Sequence, residues 1–327
     1  MKLAVVGCGA LGSYYGARIL RAGEEVAFVL RSDFEIVRRS GLWVRSAEES
    51  FHVRPRCALD GKEIGHCDLV LIGLKTTAND QFAKLLSPLV GPDTVLLTLQ
   101  NGLGNEDQLA ALFGGANVLG GLCFVCLNRV EPGVVEHHGF GKVILGEHQG
   151  KPRQRTHDVC ELFRRAGVDC EVTPELERAH WEKLVWNIPF NGLGVAASAG
   201  MPALDMANGP AGEPAGGVVP TDQLLSDPDW RHLVQELMAE IIGTARGLGF
   251  TIPFEFAERL IERTQQMGSY KASTLIDFER GQPMELESLF LRPLAAAKRS
   301  GVAVPRLEAL CRVLTQLDPG RSVGTGR

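Results

Sequence analysis

The sequence predicts an α/β protein in two parts, a doubly wound parallel sheet domain followed by an all-α C-terminal domain. Residues 2–6 form a short apolar run that ends in a glycine-rich turn, and a helical pattern and a second apolar run follow. From about residue 174, apolar residues recur at helical spacing instead. The order strand, glycine turn, helix and strand is typical of a Rossmann-type sheet. We therefore divide the chain into a sheet domain of residues 1–173 and a helical domain of residues 174–327.

Composition and charge exclude several classes of protein. The 327 residues carry a net charge of −5, whereas a surface for nucleic acid or an anionic membrane needs a basic footprint. No apolar run approaches the ~20 residues that span a bilayer, and the N-terminus predicts a strand rather than a signal peptide. The 8 cysteines show no disulfide-like spacing. We expect a cytoplasmic protein that binds neither nucleic acid nor membrane and acts on small molecules.

The turn after the first run predicts a cradle for a dinucleotide. Gly7 permits the tight turn, Gly9 lets the backbone approach a pyrophosphate, and Gly12 allows close packing of helix on strand. The helix N-terminus then faces the phosphates with its partial positive charge. A glycine turn without a ligand is the alternative. The predicted cofactor-binding residues of this turn are Gly7, Cys8, Gly9, Ala10, Leu11 and Gly12.

The end of the second predicted strand favours NADP(H) over NAD(H). NAD-binding proteins usually carry an acidic residue about 20 positions after the glycines, and this chain has Arg31 there. An arginine can stack on adenine and bind a 2′-phosphate through charge-assisted hydrogen bonds. Asp33 follows two residues later and is expected to be a helix cap or a surface residue, although it leaves NAD open.

Two further apolar runs deliver polar residues where ligands bind in open α/β sheets. The run CDLVLIGLK ends at Lys75, and VLLTLQNG delivers Asn101. We predict that Lys75 binds the cofactor and that Asn101 lies where cofactor and substrate meet, although Asn-Gly is often only a turn. Residues 118–146 predict the strands that complete the sheet. His137 and His138 are expected on the surface of that hairpin.

Cysteines do not predict a metal site. Cys123 and Cys126 form the one close pair, but zinc needs a second pair or nearby histidines, and the sequence offers neither. We therefore predict no metal. Cys126 is counted instead among the cofactor-binding candidates.

The helical half contains a polar strip in apolar surroundings. Lys183, Asn187 and Asn191 recur at intervals of four in KLVWNIPFN, so they share one face of a helix. They mark either the solvated side of an amphipathic helix or a binding site, and Pro189 should bend the helix. Residues 201–222 are rich in Gly, Pro and Ala and predict a long loop, further helices follow, and the tail after residue 317 is expected to be loose.

Beyond this pattern, the chain resembles the ketopantoate reductases, or 2-dehydropantoate 2-reductases, over nearly its whole length. The similar segments are GCGALGSYYGARI at the start, HWEKLVWNIPFN in the middle, and KASTLIDFERGQPMELE near the end. The resemblance implies NADP(H) as cofactor, with Arg31 as the selecting arginine, and a 2-oxo acid as substrate. It also implies a homodimer through the helical domain.

The same resemblance implies roles for individual residues. Lys183 corresponds to the catalytic lysine that donates a proton, and Asn187 and Asn191 to asparagines that bind substrate. Ser273 corresponds to a substrate-binding serine, and Glu285 to a glutamate at the junction of cofactor and substrate, which we count as both catalytic and cofactor-binding.

Three departures from the family leave alternatives open. A substrate asparagine of the family would fall near Met201, the segment of residues 201–222 is longer than usual, and LESLFLRP follows Glu285 where other sequences continue differently. Ketopantoate reduction in pantothenate biosynthesis is the expected function. A paralogue that reduces another 2-oxo acid is the first alternative, and a non-catalytic NADP(H)-binding sensor is the second.

Overall fold

The structure is a computed structural model that describes residues 1–205 and 216–320. The chain divides into two compact units, Met1–Glu177 and Arg178–Arg327. In the described residues, no helix is both long and apolar enough to cross a membrane.

The first unit contains one mixed sheet of 10 strands. The strands are β1 (Lys2–Val6), β2 (Glu25–Val29), β3 (Leu42–Ser46), β4 (Phe51–Val53), β5 (Arg56–Ala58), β6 (Leu69–Ile72), β7 (Val95–Thr98), β8 (Val118–Glu131), β9 (Val134–Glu147) and β10 (Cys170–Val172). The strands β5, β2, β1, β6, β7 and β8 are parallel neighbours in that order. This is the strand order of a doubly wound dinucleotide-binding domain and confirms the predicted fold class.

Helices cover both faces of this sheet. They are α1 (Ala10–Arg21), α2 (Phe34–Ser40), α3 (Phe82–Leu86), α4 (Asn105–Phe113) and α5 (Gln154–Arg165). One apolar core joins the sheet to α1 and α5 through residues such as Tyr15 and Phe163, and a second joins the other face to α3 and α4 through Phe82 and Leu109. Because both faces are covered, the central strands are apolar throughout, as in the fully buried run Leu69–Ile72.

A long hairpin extends the sheet beyond the parallel strands. β8 and β9 pair antiparallel, and the other edge of β9 pairs with β3 and then with β10. Gly133, at φ +74°, lies in the turn of the hairpin. Near residues 138–141 the register of β9 shifts, so its glycines form irregularities inside one strand rather than turns between strands.

The structure corrects the expected position of one histidine. His137 is 5% exposed, its ring stacks on that of Tyr14 at 4.8 Å, and its Nε2 lies 2.8 Å from the carbonyl oxygen of Phe140. The prediction of a surface residue is therefore wrong for His137, whereas His138 is exposed as predicted. The sequence shows His137 only as a polar residue in an alternating strand, and this local pattern does not predict that its ring stacks on Tyr14.

The described part of the second unit consists of helices and turns. Its helices are α6 (Leu176–Ala196), which begins two residues before the boundary, α7 (Thr221–Ser226), α8 (Pro228–Gly247), α9 (Glu255–Gln265), α10 (Ser273–Glu279), α11 (Arg292–Ser300) and α12 (Pro305–Leu317). Pro189 lies inside α6 as predicted. Gly192 and Gly194 allow close packing there, because an added Cβ would lie 2.5 Å from Leu310 and 2.8 Å from Leu275 respectively.

Other element boundaries differ from the predictions. The strand predicted to end at Lys75 stops at Ile72, and Gly73 packs against the glycine turn, because an added Cβ there would lie 3.0 Å from Gly12 and from the carbonyl oxygen of Gly7. The predicted loop of residues 201–222 begins with a 3₁₀ turn, Met201–Leu204, and reaches into α7, while residues 206–215 lie outside the described residues. Residues 321–327 of the predicted loose tail also lie outside them.

Candidate active site

The glycine turn between β1 and α1 is closed on one side and open on the other. An added Cβ on Gly7, at φ +91°, would lie 2.2 Å from the amide nitrogen of Leu74, and one on Gly12 would lie 2.3 Å from the carbonyl oxygen of Gly7. An added Cβ on Gly9 meets nothing within 4 Å. Gly7 and Gly12 are therefore required for packing of the turn itself. Gly9 leaves open space beside the backbone, as a cradle for a phosphate group requires.

The N-terminus of α1 is suited to an anion. Gly9 is the N-cap residue and provides no side-chain cap, and the first turn of the helix has no acidic residue. The N–H groups of the first turn therefore point outwards with the positive end of the helix dipole. The thiol of Cys8 lies 3.4 Å from the carbonyl oxygen of Val29, and burial raises its pKa, so it stays neutral beside this turn.

Arg31 and Asp33 behave differently although they are neighbours after β2. Arg31 is exposed and makes no hydrogen bond or ion pair through its side chain with any described residue. Asp33 is only 4% exposed, and its carboxylate accepts hydrogen bonds from Arg129 at 2.9 Å and from the backbone N–H of Gly133 at 3.1 Å. Asp33 stands at the N-cap position of α2 but its side chain does not cap the helix. The expectation of a capping or surface residue is therefore wrong.

A chain of hydrogen-bonded amides joins the loops that follow β6 and β7. Thr98 donates to Gln100 at 2.9 Å, Gln100 to Asn79 at 2.8 Å, and Asn79 to Asn105 at 2.9 Å. Asn105 in turn donates to the carbonyl oxygen of Asn101 at 3.1 Å. Asn79, Gln100 and Asn105 were not predicted from the sequence. The cluster of amides in QNGLGN was the available signal, but only the fold brings Asn79 to it.

Lys75 and Asn101 lie on these two loops. Lys75 is exposed at the start of the 3₁₀ turn Thr76–Gln81, and Asn101 is half-buried four residues before Asn105. Cys126 is 7% exposed and lies on β8 beyond the part that pairs with β7. Both loops leave the carboxyl edge of the parallel strands, which is the edge where ligands bind in such sheets.

In the second unit, the polar strip of α6 is not a solvated helix face. Asn187 is 7% exposed and Asn191 3% exposed, while Lys183 is half-buried. The side chain of Asn187 makes no hydrogen bond to any residue in the described ranges, which is uncommon for a buried carboxamide. The solvated-face alternative is therefore wrong for both asparagines. The amide of Asn187 is not fully enclosed, so it remains open to a ligand.

Asn191 and Ser273 are brought together at the start of α10. The side-chain oxygen of Asn191 accepts a hydrogen bond from the backbone N–H of Thr274 at 3.1 Å. Ala272 is the N-cap residue of α10 and cannot cap it, so Asn191 satisfies this N–H from another helix. Ser273 is half-buried at the first helical position, and its hydroxyl has no partner among the described residues.

Glu285 precedes an unusual piece of helix. Its side chain is 4% exposed, and its carbonyl oxygen accepts from the N–H of Leu289 at 3.2 Å. A π-helical turn, Glu287–Leu291, follows directly and leads into α11. Single π turns are rare and frequently accompany functional sites. Elsewhere on α6, the indole N–H of Trp186 donates to the hydroxyl of Thr264 on α9 at 2.8 Å.

Two family models match the two parts of the chain. The model described as ketopantoate reductase PanE/ApbA matches residues 3–150, and the one for the C-terminal part of the same family matches residues 215–318. This chain belongs to the ketopantoate reductase family. The predicted resemblance is confirmed, and the protein is an oxidoreductase.

Relatives of this ketopantoate reductase family member match over their whole length. A 2-dehydropantoate 2-reductase from Nostoc sp. is 36% identical over 99% of this chain and 97% of its own length. The crystal structure of 2-dehydropantoate 2-reductase from Geobacter metallireducens has a TM-score of 0.89 at 43% identity, covering 97% of this chain and 99% of that chain. The ternary structure of D-mandelate dehydrogenase with NADH and anilino(oxo)acetate covers 98% and 99% with a TM-score of 0.86. At 18% identity it shows the fold alone.

Proposed function

We propose that this protein reduces 2-dehydropantoate to pantoate with NADPH, as a step of pantothenate biosynthesis. The names of the relatives suggest the reaction, and one observation supports a site of this kind most strongly. Asn187 is only 7% exposed, yet its side-chain amide has no hydrogen-bond partner among the described residues and is not fully enclosed, so the amide is open to a ligand. A polar substrate would satisfy it.

The first unit fits a dinucleotide cofactor. The backbone at Gly9 leaves room for a pyrophosphate, and the uncapped N-terminus of α1 faces that room without an acidic residue. When bound, the nicotinamide cofactor would supply the hydride. Lys75 and Asn101, at the carboxyl edge of the sheet, would hold its nicotinamide end, and Cys126 would contact it from β8.

The choice of NADPH over NADH rests on Arg31 and Asp33. The guanidinium of Arg31 has no partner in the described residues and is available for a 2′-phosphate, whereas the carboxylate of Asp33 is bound by Arg129 and Gly133. An acidic group that is already hydrogen-bonded is poorly placed to receive the ribose 2′-hydroxyl of NADH.

Reduction of a 2-oxo acid requires a proton for the oxygen that becomes an alkoxide. We assign this proton to the ammonium of Lys183, which would also stabilise the developing negative charge. Asn187 would donate to the polar end of the substrate, and Asn191, whose oxygen is fixed by Thr274, would present its NH₂ group. Ser273 would bind the carboxylate, and Glu285 would orient Lys183 or a cofactor hydroxyl.

Two positions in the second unit support a 2-oxo acid other than 2-dehydropantoate as the substrate. Met201 begins a 3₁₀ turn where the family expectation is an asparagine, and the segment LESLFLRP contains the π-helical turn Glu287–Leu291 and the start of α11. A different 2-oxo acid is therefore the alternative substrate. D-mandelate dehydrogenase has the same fold, so an aryl 2-oxo acid belongs in the test.

The test is NADPH oxidation by the purified protein with 2-dehydropantoate, pyruvate, 2-oxoisovalerate and phenylglyoxylate. The proposal expects the highest kcat/KM with 2-dehydropantoate. Turnover of another acid only would retain the chemistry and change the substrate. Tight NADPH binding without turnover of any of the acids would favour the sensor alternative instead.

The assembly and location belong to the same proposal. A homodimer formed by the helical unit is expected, and light scattering coupled to gel filtration would measure its mass. A monomeric mass at working concentration would contradict the expected assembly. Fractionation of the source cells would test the expected cytoplasmic location.

A further inference from the structure

The loop after β2 carries an ion pair with a buried carboxylate in addition to the exposed Arg31. Arg129, on β8, donates to the Oδ1 atom of Asp33 at 2.9 Å, and the backbone N–H of Gly133 donates to Oδ2 at 3.1 Å. The hydroxyl of Ser32 donates to Oδ1 at 2.8 Å. Both carboxylate oxygens are therefore occupied, and the tip of the long hairpin holds the loop.

The guanidinium of Arg129 also reaches the neighbour of Arg31. Its Nη1 atom lies 3.5 Å from the hydroxyl of Ser32, and its side chain is 40% exposed, whereas that of Asp33 is 6% exposed. The pair thus presents its positive member to the solvent and encloses its negative member. Arg31, Ser32 and Arg129 together form the outer surface of this loop.

The position of this loop gives the ion pair a consequence for cofactor choice. In doubly wound sheets, the loop after the second strand contacts the adenine ribose, and an acidic side chain there selects NAD by binding the 2′-hydroxyl. The same carboxylate would repel the 2′-phosphate of NADP. This chain carries such an acid, yet Arg129 neutralises it and donates to Oδ1, while the backbone N–H of Gly133 donates to Oδ2.

We propose that Arg129 is a specificity-determining residue, which masks Asp33 so that Arg31 receives a 2′-phosphate. The inference rests on the proposed NADPH-dependent function. A purely structural role of the pair is the competing explanation, because it also fixes the hairpin to the start of α2. The two explanations predict different ratios of NADPH to NADH affinity after removal of Arg129. Loss of a structural contact would weaken the binding of both cofactors together, whereas loss of the mask would weaken the binding of NADPH alone.

The experiment measures the Kd of NADPH and of NADH by nicotinamide fluorescence, without substrate. Arg129→Gln should expose the charge of Asp33 and weaken NADPH binding by roughly 10- to 100-fold. The same variant should bind NADH with unchanged or higher affinity. The double variant Arg129→Gln/Asp33→Asn should regain most of the NADPH affinity, because the repelling charge is gone. Arg45→Gln is the matched control, since the side chain of Arg45 forms an exposed ion pair with Glu131 at 3.8 Å on the same end of the hairpin and no other among the described residues.

A variant that leaves the carboxylate without its partner can fail to fold, so Asp33→Asn is measured alone as well. It should keep the NADPH preference and leave NADH affinity unchanged. Weaker NADH binding by Asp33→Asn, or equal losses of both cofactors in Arg129→Gln, would overturn the inference. Equal affinities of the wild type for NADPH and NADH would overturn it too. Failure of 2-dehydropantoate turnover would contradict only the proposed substrate, because these titrations contain none.

Discussion

The two units of this protein present their candidate ligand groups in different ways. In the first unit, the glycine turn offers backbone N–H groups and empty space at Gly9. In the second, α6 and α10 offer side chains, of which Asn187 is buried without a partner in the described residues and Asn191 is fixed by Thr274. The backbone of a turn can bind the constant part of a cofactor. Buried side chains on rigid helices discriminate among substrates, because an unsatisfied polar group rejects a ligand that lacks its partner.

The largest expected effect concerns Lys183, a candidate catalytic side chain of the second unit. Lys183→Ala should lower kcat with 2-dehydropantoate by about 10²–10⁴-fold, because the developing alkoxide loses its proton donor. Steady-state NADPH oxidation measures this effect, and fluorescence titration should show an unchanged NADPH affinity. Lys298→Ala is the matched control, since Lys298 makes a surface pair with Glu308 at 3.4 Å in the same unit. Similar kcat values for the two variants would remove Lys183 from the mechanism.

The next prediction compares Gly12, which is closely packed in the glycine turn, with Gly9, which faces open space. Gly12→Ser should lower the free energy of unfolding by about 1–3 kcal/mol, because its Cβ would collide with the carbonyl oxygen of Gly7. Gly9→Ser should change it by less than about 0.5 kcal/mol, since serine suits an N-cap position and its Cβ meets nothing within 4 Å. Urea denaturation compares the two. Equal losses of stability would show that Gly9 is also a packing position.

A matched pair of substitutions then distinguishes the two asparagines of α6. Asn191→Leu should lower the free energy of unfolding by about 1–3 kcal/mol, because the buried N–H of Thr274 loses its acceptor. Asn187→Leu removes no hydrogen bond to a described residue and should leave stability unchanged or raise it. Thermal unfolding measures both. Greater destabilisation by Asn187→Leu would indicate a structural role for this amide.

The smallest effect concerns the thiol in the glycine turn. Burial raises the pKa of Cys8, so less of it is thiolate at any given pH than in a free cysteine, and a higher pH is needed to ionise it. At about pH 8, alkylation of Cys8 by iodoacetamide should therefore be much slower than that of glutathione. Peptide mass spectrometry after timed labelling measures the rate. Labelling as fast as glutathione would show a reactive thiol beside the cradle.

In the first unit, the sequence predicted the elements that depend on local patterns. The run of residues 2–6, the glycine turn and α1 are local patterns, and all three were predicted. The short strands β3, β5 and β10 were missed because they pair with strands that are not adjacent in sequence or that lie across a helix, such as β3 with β9, and β4 was missed because, in the described residues, it pairs only with β3. Asp33 and His137 were assigned wrongly for the same reason. Their partners Arg129 and Tyr14 lie 96 and 123 positions away along the chain.

In the helical unit, the interval of four residues predicted that Lys183, Asn187 and Asn191 share a face. It did not show whether this face was solvated or buried. The burial of α6 follows from close contacts at Gly192 and Gly194 with other helices, which no local pattern reveals. The cap that Asn191 provides for α10 joins residues 83 positions apart, so it also required the structure.

The most direct test of this account measures the NADPH Kd and the 2-dehydropantoate KM in two variants, after each has been shown to be folded. Gly9→Val places a branched side chain in the open cradle and should raise the NADPH Kd by about tenfold or more, whereas Asn187→Leu should leave that Kd unchanged. Asn187→Leu should instead raise the 2-dehydropantoate KM or lower kcat/KM by at least about tenfold. An Asn187→Leu variant that weakens NADPH and retains its 2-dehydropantoate kinetics would contradict the division between a cofactor cradle built from backbone and a substrate site built from side chains.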